Sequence, residues 1–233
     1  MLVKAVYLSQ AFSINIEQDL KQRIRRLRLI SRILSLLLAI AAFVPLAITL
    51  SKFLSTRNDY RNIPTTLGAT TRTAWAFQTR AWPTYMYFSI SLMSLLLNSA
   101  IIMSYIGGVK AANITARIGT VFTILLILMD IGIWTAAVII YKVEKDILTD
   151  GKHTDIWGWT CSSAAREIQG VFTNVPFDKY CNIQTAGWAA GLLEVAVLGS
   201  SAVVYWYVWR RSVNKEKVRK RTETAQLIQA SLS

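Results

Sequence analysis

The sequence has one histidine, His153, and two cysteines, Cys161 and Cys181. A single imidazole cannot build a histidine cluster, and two thiols with it do not make a convincing tetrahedral metal site. No metal or other cofactor is expected. The glycine patterns of phosphate-binding and dinucleotide-binding loops are missing, as is the G-x-S-x-G turn of serine hydrolases. Internal repeats and paired broken helices of the secondary-transporter kind are also absent. Without a nucleophile, base or phosphate cradle, the chain reads as a protein that is not an enzyme. Charge is scarce too, at 17% of residues, against about 25% in ordinary soluble domains. The deficit is mainly acidic: 13 Asp and Glu stand against 26 Lys and Arg, for a net charge of +13.

The charges cluster, and long uncharged runs separate them. A bilayer core requires roughly 20 apolar residues in helical form. Four runs meet that length, at about residues 33–51, 84–105, 118–141 and 187–209. The expected fold is therefore all-α: an integral membrane four-helix bundle at 33–209, with a long outer loop at 142–186. Flanking it are basic tails at 1–32 and 210–233. Pro45 falls inside the first span, where membrane helices tolerate it. Aromatic residues near the predicted ends, among them Trp75, Trp82, Trp188, Tyr205, Trp206, Tyr207 and Trp209, suit the interface between headgroups and tails.

Basic residues orient such a bundle, because they are retained on the cytoplasmic side. Both tails are rich in them, so both termini are expected in the cytoplasm. The connection at 107–117 carries Lys110 and Arg117 and no acid, in keeping with that side. The sequon at Asn113 would then stay unmodified. Residues 142–186 carry five basic and six acidic side chains and belong outside. An oxidising compartment permits disulfides, which predicts a bridge between Cys161 and Cys181. Just after Cys161, the stretch 162–171 reads as a short helix capped by Ser162 or Ser163.

The run Asp155-Ile156-Trp157-Gly158-Trp159-Thr160-Cys161, followed by Cys181-Asn182-Ile183-Gln184-Thr185, Trp188 and Glu194, resembles a group of fungal four-span proteins of broadly MARVEL-like type. The local pattern covers about residues 155–210. The resemblance implies four spans, cytoplasmic ends, paired cysteines in the second outer loop and a role in membrane apposition, microdomains or vesicle traffic. Claudin-like proteins differ, with their cysteine pair in the first outer loop. Tetraspanins carry a Cys-Cys-Gly motif that this chain lacks, and connexin-like proteins have more cysteines.

Two carboxylates interrupt the predicted spans. Asp130 lies about 18 Å and Glu194 about 22 Å from the cytoplasmic end at 1.5 Å per residue, so they fall near one level. An acid at that depth costs roughly 2.5–3.5 kcal/mol and should face the bundle interior. No Lys, Arg or His lies within the predicted spans to neutralise either. Asn98 on the second span is a candidate partner. Two readings stay open: a polar clasp between helices, or a proton or cation relay. Gly187 with Gly191, and Ala196 with Ser200, form small-xxx-small pairs that serve either packing within the bundle or self-association as a homo-oligomer.

In the first tail, Ile16, Leu20, Ile24 and Leu27 form an apolar stripe beside Arg23, Arg25, Arg26 and Arg28. The second tail concentrates Arg210, Arg211, Lys217, Arg219, Lys220 and Arg221. Next to a bilayer each basic residue near an anionic surface contributes about 1 kcal/mol, so anionic lipids are the expected partners. Nucleic acid is not, since no binding motif accompanies the charge. Taken together, the sequence points to a non-enzymatic membrane organiser or scaffold, with a small transporter or channel subunit as the alternative. The membrane is the plasma membrane or an endomembrane.

Overall fold

The computed structural model describes residues 2–65, 68–106, 120–149 and 151–232, with side chains described for most of 22–210. Helix α1 (Leu2–Thr56) is followed by strands β1 (Tyr60–Thr65) and β2 (Gly68–Thr73), then by α2 (Trp82–Ile106) and α3 (Thr120–Asp146). A two-residue ribbon, β3 (Leu148–Thr149) and β4 (Lys152–His153), leads to the short helices α4 (Ile156–Cys161) and α5 (Ser163–Glu167). The chain closes on α6 (Phe177–Leu232). The fold is thus mostly helical, with two small antiparallel ribbons that the all-α expectation did not include.

Four helices are long and apolar enough to cross a membrane: Gln22–Thr56, Trp82–Met103, Leu125–Asp146 and Phe177–Arg210. They match the four predicted spans. The first and last extend well beyond the predicted limits. Nothing breaks α1 at residue 32, because no glycine or proline occurs before Pro45. The amino-terminal tail and the first span are one continuous helix, and the fourth starts ten residues early, just after Pro176.

The long helices pack in cyclic order, α1 on α2, α2 on α3, α3 on α6 and α6 on α1. The buried face of each recurs at intervals of three and four residues, the spacing that keeps one seam turned inward. On α1 the seam is Ser35, Ala39, Ala42, Leu46, Thr49, Phe53 and Thr56. On α2 it is Thr84, Tyr87, Ser91, Ser94 and Asn98, and on α6 Tyr180, Gln184, Gly187, Gly191, Glu194 and Leu198. Large aliphatic residues such as Leu37, Ile48, Leu96, Leu128 and Leu193 point outward. Small and polar residues share the inward seams with large rings and a few leucines, and the small ones let backbones approach.

At one end of the bundle, called here the cap end, the β1–β2 hairpin, the segment 74–81, α4, α5 and the start of α6 enclose a second core. Phe53, Ala74, Trp75, Ile156, Trp159, Phe172, Val175 and Phe177 are buried in it. The opposite end, where α1 and α6 run on as basic helices, is called the tail end.

Candidate functional site

The segment that carries the sequence signature is α4. Asp155 caps it: its Oδ2 accepts the N–H of Gly158 at 2.9 Å, satisfying one of the donors left free at a helix start. Gly158 admits no side chain, because a Cβ there would run into Asp155 Oδ1 and the carbonyl of Lys145. The two tryptophans turn to opposite cores. Trp159 faces the cap, where its Nε1 donates to the Ala74 carbonyl at 2.9 Å and the Arg72 guanidinium lies 5.1 Å over its ring. Trp157 faces the bundle. Cys161 is bonded to Cys181 on α6, as predicted. Ser162 caps α5 through a bond from the Ala165 N–H, also as predicted.

Asp155 is 1% exposed. Burial pushes its carboxyl up to about 6, against the opposing pull of the Gly158 N–H and of His153. Its Oδ1 and the Nδ1 of His153 are both buried and make no hydrogen bond. The same neighbourhood joins three segments. The Arg80 N–H donates to the Thr154 carbonyl at 2.8 Å, and the Arg80 guanidinium lies 3.7 Å from Glu144 at the end of α3. Among the described residues, no group of three His, Cys, Asp or Glu side chains is placed to hold a metal ion.

Below α4 a column of rings runs down the bundle. Trp188 lies 6.0 Å from Trp157, which stacks on Tyr141 at 4.8 Å; Tyr141 stacks on Tyr87 at 4.7 Å, and Trp134 meets Tyr87 edge-on at 5.8 Å. Trp134, Tyr87, Tyr141 and Trp157 are all essentially inaccessible. The Tyr141 hydroxyl donates to Gln184 Oε1 at 2.9 Å, and Gln184 Nε2 donates to Thr160 on α4. Trp188 Nε1 donates to the Val138 carbonyl. Two expected interface tryptophans are therefore internal. Trp188 belongs to this column, and Trp75 is buried in the cap with its Nε1 bonded to Thr56. Trp82, Trp206 and Tyr207 are exposed.

The two glycines of α6 make room for this packing. Gly187 faces Pro45 and Ala42 of α1, and a Cβ on Gly191 would strike the Tyr87 hydroxyl. This pair serves packing within one bundle. Ala196 and Ser200 lie on the exposed face of the same helix.

One turn from Trp134 and Gly191, toward the tail end, the predicted polar residues gather in a layer. Asp130 on α3 lies close enough to Glu194 on α6 for their charges to interact. Glu194 is fully buried and Ser35 of α1 lies beside it, although neither carboxylate oxygen makes a well-formed hydrogen bond. Asn98 of α2 does not serve the acids as expected. Its amide donates to Ser94, and its Oδ1 lies 3.4 Å from the Arg32 guanidinium. Arg32 also faces Asp130 and Glu194 electrostatically. The expectation that no cation reaches the acids is thus corrected. Arg32 sits on the unbroken α1 and turns its long side chain into the layer, where a boundary at residue 32 had placed it outside. One turn away, the hydroxyls of Ser31 and Ser201 bond to each other.

Of the basic residues, Arg23 and Arg26 on α1 and Arg210 on α6 are exposed. The side chains of Arg25, Arg28, Arg211, Lys217, Arg219, Lys220 and Arg221 lie outside the described set, as do Asn113 and the 107–119 connection.

Four membrane-length helices, an aromatic column, a polar layer between helices and a disulfide-closed cap define the class: a capped four-helix protein of membrane-spanning proportions. The chain belongs to the family defined by a domain of unknown function (DUF8762), which matches residues 10–232. No curated protein and no solved structure matches it.

Proposed function

We propose that this protein crosses the bilayer four times, with both termini in the cytoplasm, and acts as a non-enzymatic membrane organiser or scaffold. The observation that carries the reading is the aromatic column. Rings in contact from Trp188 through Trp157, Tyr141 and Tyr87 to Trp134 occupy the bundle interior on the cap side, and large buried aromatic side chains there favour a packed core over an ion path. The polar layer beneath has the character of a clasp. Arg32, Asn98, Asp130 and Glu194 come from four different helices, Asn98 and Glu194 buried and Arg32 and Asp130 half-buried, and polar groups that meet between helices in this way hold membrane helices in register. Exposed Arg23, Arg26 and Arg210 support contact with anionic lipids on the tail side. The MARVEL-like resemblance agrees with this role.

The unsatisfied carboxyl of Glu194 favours the second reading, a proton or cation relay through Asp130 and Glu194 in a small transporter. Reconstitution into liposomes loaded with a pH-sensitive or sodium-sensitive dye separates the two. The organiser reading expects wild-type protein to move no more protons or sodium than empty vesicles do. A flux that wild type supports and Asp130→Asn abolishes would establish the relay instead.

A further inference from the structure

The rim of the cap carries a row of large apolar side chains that the folded protein leaves uncovered. Phe77 is 86% exposed. It stands next to Gln78, the one described non-glycine residue with a positive φ, at 55°. A left-handed turn at a residue other than glycine costs free energy, and here it throws Phe77 outward while Trp75 and Ala76 stay buried. Thr79 closes the turn by donating to the Ala76 carbonyl. Five residues beyond Phe77, Trp82 opens α2 and is also exposed. Across the bundle end, Ile147 and Leu148 follow the last turn of α3 and are exposed too.

Arg80 holds these two segments together. It sits between Phe77 and Trp82, pairs with Glu144 at the end of α3, and bonds through its backbone to Thr154 beyond β4. The four apolar side chains thus lie at the cap end of the bundle, next to the points where the apolar faces of α2 and α3 stop. Farther along the same two helices, Met93, Leu96, Ile139 and Val143 are exposed as well.

We propose that Phe77, Trp82, Ile147 and Leu148 form a wedge that seats the rim of the cap in the adjoining leaflet of the bilayer, with lipid as the ligand of this surface. Aromatic and aliphatic groups just beyond a span are stabilised at the headgroup boundary, and an apolar patch in water would be a liability. The cap then rests on the membrane and disturbs the lipids around the bundle, a direct means for an organiser to act on them. The inference rests on the membrane-spanning reading above.

The test uses the native disulfide. With Cys161 and Cys181 bonded to each other, a cysteine introduced elsewhere is the one free thiol. Full-length Phe77→Cys, Leu148→Cys, Thr71→Cys and Leu96→Cys proteins are spin-labelled and reconstituted in phosphatidylcholine vesicles. Collision rates with oxygen, which concentrates in lipid, are compared with those of a water-soluble nickel complex. The expected ratio of oxygen to nickel collisions is above unity at Phe77, Leu148 and Leu96, and below unity at Thr71 on the hairpin. A ratio below unity at Phe77 and Leu148, with Leu96 above it, overturns the wedge and leaves the spanning reading intact. A ratio below unity at Leu96 as well overturns both.

Discussion

Asp155 is the residue in which fold and chemistry meet most closely. It caps α4, yet its second oxygen faces His153 Nδ1 with no hydrogen bond. Burial raises its folded carboxyl from 3.8 to about 6. For an acid raised in this way, the contribution to stability is fully present below the unfolded value and is lost as pH rises through the folded one. A rise of that size corresponds to roughly 3 kcal/mol, lost between about pH 4 and pH 6. Asparagine caps helices as well as aspartate does and can donate to the imidazole. Asp155→Asn is therefore expected to unfold at a higher temperature than wild type at about pH 8, with the gap closing toward about pH 4. Thermal melts of the detergent-solubilised protein across that range check it, and a constant gap would show that Asp155 does not titrate. The capping serine and the cysteine pair were readable from residue type and spacing. The cap at Asp155 has a signal in the sequence as well, an aspartate three residues before Gly158. Its burial was not visible, because the groups that enclose it come from α3 and the 74–81 segment.

Among the elements, α6 illustrates why a long apolar helix resists reading by hydropathy. Over 187–209 large aliphatic residues, Leu192, Leu193 and Val203 among them, look outward. The inward seam is written in small and polar residues: Gln184, Gly187, Gly191 and Glu194. The pair Gly187 and Gly191 was recognisable as a contact surface, but only the assembled bundle assigns it to Pro45 and Tyr87. Gly191→Ala should lose roughly 1–3 kcal/mol through overpacking against Tyr87. A change at Gly199, where a Cβ meets nothing, should have little effect. Denaturation in detergent of the two alanine variants measures the difference, and equal losses would contradict the assigned packing. The β1–β2 hairpin was missed. Its run of Ile63, Thr65, Thr70, Thr71 and Thr73 is rich in β-branched residues and was a usable signal.

For the whole molecule, the proposed orientation places cap and tails on opposite sides of one bilayer. The charge asymmetry predicts that a protease added outside intact cells spares both terminal epitope tags. Cleavage of either tag before the membrane is permeabilised would reverse the orientation. The layered interior adds a dependence among sites. Arg32, Asn98, Asp130 and Glu194 form one polar layer fed by four helices, so substitutions within it should be non-additive, while pairs drawn from this layer and the cap should add.

The four apolar helices and the cysteine bridge follow from the chain alone, because length, hydropathy and cysteine pairing act locally along the sequence, while the ends of the first and last helices do not. The acids could be placed near one level by counting residues, since the rise of a helix is constant. Tertiary structure decided what surrounds them. Arg32 enters the polar layer because α1 continues unbroken, and its reach is a matter of three-dimensional packing. The same holds for Trp75 and Trp188, interface residues by position and core residues by contact, and for Phe77, an unremarked loop residue that a single strained turn presents outward. Which side of a helix meets its neighbours depends on shapes supplied by other helices, and no single segment carries that information.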